Sequence, residues 1–168
     1  VDPEKGVNTP EDAVAGAKDI IAELISDDAE TRKALREFLF NEGLIVSVFS
    51  DKQEDKEKLN TYEMYKEFSE KISTLPSHRI LALNRGEKEE CLKVSISASA
   101  ERAVEIIKTK FLKDSVFNSI MTEAIEDSYA RLIFPSIERE VRNELTDKAN
   151  EQAIKMFEVN LKPLSLIH

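Results

Sequence analysis

A chain of 168 residues with 41% hydrophobic and 34% charged side chains is long and apolar enough to bury a core, which excludes wholesale disorder. Four glycines and five prolines leave little material for a turn-rich all-β fold. A formal net charge of −9 opposes unaided binding to nucleic acid or to an anionic membrane, because phosphate recognition needs clustered Lys and Arg.

The single cysteine, Cys91, rules out an internal disulfide and fits a reducing, cytoplasmic compartment. No run approaches the roughly 18 apolar residues of a membrane helix, and there is no signal-peptide pattern. The start at Val1 and the stop at Leu166-Ile167-His168 read as the edges of a piece of a longer protein.

Val1–Asn8 is expected to be an irregular lead-in. Thr9-Pro10-Glu11-Asp12 opens a helix: Thr9 can cap, Pro10 suits the first helical position, and the two acids favour the positive end of the dipole. Val14, Ala17, Ile21 and Leu24/Ile25 then form an apolar stripe, and Ser26-Asp27 end the helix. A second helix is expected over Asp28–Asn41, with Leu35, Phe38 and Leu39 on one side and Gly43 as a left-handed cap. Leu44–Ser50 is short and β-branched, as a buried strand would be. Asp51–Asn60 reads as a solvated, mobile loop.

Tyr62, Tyr65, Phe68 and Ile72 recur at three or four residues, which predicts a helix over Thr61–Ile72. Pro76 interrupts it. Ser77–Arg85 is then a two-turn helix stopped by Gly86, and Leu92, Val94 and Ile96 alternate with Lys93, Ser95 and Ser97 as a strand with one wet face. From Ala100 onward the chain reads as helical, over Ala100–Phe111, Ser115–Ile133 and Ser136–Leu161. Phe134-Pro135 interrupts the last two, and Phe111, Phe117, Ile120, Met121, Ala124 and Ile125 are among the core candidates. In the final helix Ile137, Val141, Leu145, Ala149, Ala153, Phe157 and Leu161 recur every four residues, about 40° of rotation per step, so the stripe winds around the rod.

These elements predict a mainly α, multihelical fold. It divides into an N-terminal helical segment (1–27), a winged-helix-like module with a small two-stranded sheet (28–99), and a helical domain ending in a long helix (100–168). The order helix, strand, helix, helix, strand is that of a helix-turn-helix elaborated with a sheet. Its third helix, Ser77–Arg85, would be the one presented to a major groove. From Arg79 to Lys113 eight Lys/Arg stand against five Asp/Glu, so His78, Arg79, Arg85, Lys88 and Lys93 are the candidate nucleic-acid contacts. The competing reading is architectural: Ile80, Leu81 and Leu83 leave few free positions, and Glu87, Glu89 and Glu90 can pair the arginines.

No catalytic or metal-binding constellation is legible. His78 and His168 are far apart, no Cys/His spacing fits zinc, and there is no phosphate-cradling glycine loop or nucleophile motif. Acid pairs such as Asp27/Asp28 and Glu54/Asp55 fall at caps or in the charged loop. The expectation is a non-enzyme without cofactor or metal.

Two stretches carry a family resemblance: Leu75–Leu92 (LPSHRILALNRGEKEECL) and Tyr129–Phe157 (YARLIFPSIEREVRNELTDKANEQAIKMF). With Thr9–Glu23 and Leu35–Ser47 they resemble the bacterial transcription accessory protein Tex family, in order and over nearly the whole chain. The resemblance implies the N-terminal helical part of a larger protein. Its other domains would be an RNase H-like domain, helix-hairpin-helix elements and an OB-fold, and these would carry most of the nucleic-acid binding. The partners implied are those domains, nucleic acid through the full-length protein, and the transcription machinery. The leading reading is a scaffold and interaction piece; the alternative is a DNA- or RNA-binding winged helix acting through the basic residues from Arg79 to Lys93.

Overall fold

The computed structural model describes residues 9–112 and 119–165. The expected lead-in Val1–Asn8, Phe117 and His168 lie outside them, as do the side chains of Val14, Phe111, Ile120 and Leu161. The fold is mainly helical, with seven α-helices and one three-stranded sheet among the described residues. Two compact units emerge, each assembled from two stretches of chain: residues 1–38 with 98–139, and residues 39–97 with 140–168.

The first unit opens with α1 (Pro10–Asp27), whose cap is the one the sequence predicts: Thr9 Oγ1 accepts from Asp12 N at 3.1 Å. Asp28 alone separates α1 from α2 (Ala29–Glu42). Its carboxylate accepts from the N–H of Thr31 at 3.1 Å and from the Thr31 hydroxyl, which is how a fully buried threonine is satisfied. Arg32 reaches back to the Ser26 carbonyl and across to Ser136 Oγ (2.9 Å). α5 (Ala100–Ile107), capped by Ser99, buries Ala103, Val104 and Ile107. α6 (Ser119–Ser128) lies against α1 and buries Ala124 and Ile125.

The interruption expected at Phe134-Pro135 is a π-turn over Tyr129–Ile133, not a break, and α7 (Phe134–Ser165) follows it directly. Pro135 has no N–H for the Arg131 carbonyl and its ring would crowd it. Widening the preceding turn lets the Phe134 N–H bond to the Tyr129 carbonyl and keeps the axis running. Of the four-residue stripe, Ile137, Val141, Leu145 and Ala149 are buried, whereas Ala153 and Phe157 are exposed.

The second unit is built on β1 (Leu44–Phe49), central in an antiparallel sheet of order β2-β1-β3 with β2 (Glu67–Lys71) and β3 (Leu92–Ser97). The third strand corrects the expected two-stranded sheet and the helix expected over Thr61–Ile72. That stretch instead holds a 3-10 turn (Glu63–Tyr65), β2, and a second 3-10 turn (Ile72–Thr74). Tyr62, Tyr65 and Ile72, three and seven residues apart, are buried at these turns. The free edge of β1, which would otherwise leave a row of unpaired N–H and C=O groups, takes the residues between. Within the loop expected over Asp51–Asn60 a short helix forms, α3 (Lys56–Thr61), because Asp55 Oδ1 accepts from the N–H groups of Glu57 and Lys58.

Neither expected glycine stop works as predicted. Gly43 is not left-handed; a Cβ there would press on the Leu39 carbonyl and on Ile72 Cδ1 at 3.1 Å. α4 (Ser77–Lys88) runs past Gly86, and the left-handed residue is Glu90, at φ 62°. The bonds Cys91 N–H to Gly86 O (2.8 Å) and Glu90 N–H to Glu87 O (3.1 Å) close the paired-loop C-cap that glycine usually supplies. Gly86 is needed for space: a Cβ would collide with the Leu92 side chain and come within 3.2 Å of Tyr62 Cδ1.

Candidate nucleic-acid interface

The register of the sheet decides where the candidate cations go. Ile45 pairs with Ile96 and Glu70, and Ser47 with Val94 and Phe68, so these side chains share one side of the sheet. That is the side α4 covers, since Leu92 lies against Gly86 and Arg79 meets Glu70. Ser47, fully buried there, donates to the Tyr65 carbonyl at 2.7 Å. The opposite side carries Leu44, Val46 and Val48, bordered by Glu67, Ser69, Lys71, Lys93, Ser95 and Ser97. Lys93 is therefore separated from α4 by the sheet itself.

Two of the three sides of α4 are occupied from within the fold. Toward the sheet, the Arg79 guanidinium pairs with Glu70 and sits 5.8 Å from the Phe68 ring centroid. Arg79 Nε and the second Glu70 oxygen are buried beside that pair, without partners among the described residues. Toward α7, Arg142 makes a two-point bond to Glu87 (2.9 and 2.7 Å) and donates to Asn84 Oδ1 (2.9 Å). Asn84 donates to Thr146 Oγ1 (2.8 Å), and Ser77 bonds Gln152. The pairings 77 with 152, 84 with 146 and 87 with 142 fall in antiparallel order. Ile45, Leu75, Ile80, Leu83, Val94 and Leu145 line a small, partly open pocket beneath them.

The third side is free. His78, Arg85 and Lys88 are exposed, and among the described residues their side chains have no ion-pair partner. His78 and Arg85, seven residues apart, lie about 10 Å apart along one side of the helix, with half-buried Leu81 between them. Three of the five candidates thus come together on α4. Arg79 is turned inward and Lys93 lies behind the sheet. Just past α4, Glu89 accepts from the Tyr62 hydroxyl at 2.6 Å. Burial, and then that bond and the Glu89 charge, push the Tyr62 hydroxyl up to about 12.

Sequence reasoning missed Arg142, Asn84 and Glu70, which set the surroundings of α4. Arg142 and Asn84 are separated by 58 residues, and no local pattern links them. Among the described residues no three His, Cys, Asp or Glu side chains converge as a metal site requires, and no helix is long and apolar enough to cross a membrane.

The model of the Tex central region-like family matches residues 1–157. The chain belongs to this family. It is 47% identical over 165 residues to the uncharacterized protein YdcI of Bacillus subtilis, covering 97% of this chain and 23% of that protein. It is 31% identical over 162 residues to the transcriptional accessory protein Tex of Neisseria gonorrhoeae, covering 92% and 21%. It is 28% identical over 179 residues to the human S1 RNA-binding domain-containing protein 1, covering 96% and 18%. This Tex central region-like chain therefore spans less than a quarter of the length of these relatives. The Tex resemblance read from Leu75–Leu92 and Tyr129–Phe157 holds, and both stretches are ordered elements here: α4 with its cap, and α7 with the π-turn before it.

Proposed function

We propose that this chain is a non-catalytic scaffold and interaction segment of a Tex-like transcription accessory protein. Its place is the cytoplasm, and its partners are the other domains of the parent polypeptide: RNase H-like, helix-hairpin-helix and OB-fold. Nucleic acid is engaged mainly through those domains. One observation carries the reading: two of the three sides of α4 are used internally, with Arg79 held by Glu70 and the Ser77–Asn84–Glu87 side held by α7. A helix so occupied positions its neighbours, and a net charge of −9 works against unaided phosphate binding.

A second reading has its own support. The exposed row His78, Arg85 and Lys88 could touch phosphates directly, in the manner of a winged helix. A gel shift with duplex and single-stranded DNA and RNA separates the two. The scaffold reading expects only weak, length-independent retardation at physiological salt. Submicromolar binding that falls steeply with salt and disappears in Arg85→Ala plus Lys88→Ala would replace it with the second reading.

A further inference from the structure

Among its described side chains α1 is buried on one side only, through Ala22 and Ile25, and its other side has a pattern of its own. Ala13, Ala17, Ile20 and Leu24 follow the spacing i, i+4, i+7, i+11 of a single helical ridge, and all four are exposed, Ile20 by 59% and Leu24 by 54%. Alongside runs a second line at the same spacing: Asp12, Gly16, Asp19, Glu23 and Asp27, every acid of it exposed. Lys18, the single cation of α1, sits on the inner side and pairs with Glu123 at 3.5 Å. Of the acids, Asp19 is met by Arg131 at 3.2 Å. The ridge is thus apolar along its crest, flat at its N-terminal half where Ala13, Gly16 and Ala17 allow close approach, and acidic along one border.

We propose that this ridge docks a basic amphipathic helix of a separate protein, one with an aliphatic crest and a row of Lys or Arg beside it. Charge selects the occupant. A second copy of α1 would set one row of carboxylates against the other when antiparallel, and when parallel would offer the row no cation but Lys18, which Glu123 holds. Nucleic acid and anionic lipid are repelled by the same row. A lysine-bordered helix instead pairs its cations with Asp12, Glu23 and Asp27 while covering Ile20 and Leu24, the helix-in-groove mode of peptide recognition.

The test uses a synthetic helical peptide of about 18 residues, with leucines at i, i+4, i+7 and i+11 and lysines alongside, against a scrambled peptide of the same composition. Fluorescence anisotropy should show the ordered peptide binding at least about tenfold more tightly than the scrambled one, and hydrogen exchange should show α1 amides protected. Ile20→Ser plus Leu24→Ser, and separately Asp12→Asn plus Glu23→Gln plus Asp27→Asn, should each weaken it by about tenfold with unchanged far-UV circular dichroism. Equal binding of the scrambled peptide would reduce the ridge to unspecific charge and overturn the proposal. So would a dimer abolished by the serine pair, which would make the occupant a second copy. Protection of the same amides in a full-length family member without peptide would make it an internal contact, and would equally overturn it.

Discussion

Glu90 holds the turn between α4 and β3 at φ 62°, a conformation that costs a residue with a Cβ roughly 1–2 kcal/mol and glycine almost nothing. Glu90→Gly is therefore expected to stabilise the chain by about 0.5–1 kcal/mol, read as a higher urea midpoint at unchanged slope. Gly86 makes the converse case. Its backbone is ordinary helix, and the space a Cβ would need is filled by Leu92 and Tyr62. Gly86→Ala should cost about 1–3 kcal/mol through overpacking, in spite of alanine's better helix propensity. Arg142→Met removes three hydrogen bonds to Glu87 and Asn84. Because the pair is partly exposed, the expected loss is about 1–2 kcal/mol, with faster hydrogen exchange in α4.

At the scale of elements, local pattern decided some segments and lost to pairing in others. α1 began where Thr9 and Pro10 said it would, because a cap and a first-turn proline act within four residues. β2 did not follow the spacing of Tyr62, Tyr65 and Phe68. Its backbone bonds go to β1, some twenty residues away, and that edge is invisible in a local window. The distal part of α7 shows the same limit from the other side. Its four-residue stripe continues through Phe157, yet residues 151–160 are all exposed, with Ile154, Met156, Phe157 and Val159 between 59% and 68%. Phe157→Gln plus Val159→Gln should therefore together cost less than about 0.5 kcal/mol, a difference that thermal unfolding of the two forms would show as nearly coincident curves.

For the molecule as a whole, two tyrosines set an alkaline limit. Burial and Glu89 push Tyr62 up to about 12, and burial with the Glu138 charge does the same to Tyr129, from an unfolded value of 10.0. A folded pKa above the unfolded one gives stability that is complete below pH 10 and is lost as the pH rises toward 12. Urea midpoints should hold up to about pH 10 and then fall. Tyr62→Phe should flatten part of that fall, since it removes one of the two groups responsible.

The sequence by itself determined the mainly helical class, the family, and the caps and strands whose signals are local: Thr9, the alternation of β3, the β-branched run of β1. It also placed five basic residues near one helix. Only the tertiary structure decided which of them share a surface. Period-2 alternation puts Lys93 behind the sheet once β3 is paired. The carboxylate of Glu70, carried on a strand the sequence had disguised as helix, draws Arg79 inward. Those outcomes depend on partners set by strand register and helix contact across the fold, whereas a sequence pattern reports only what a residue's near neighbours require.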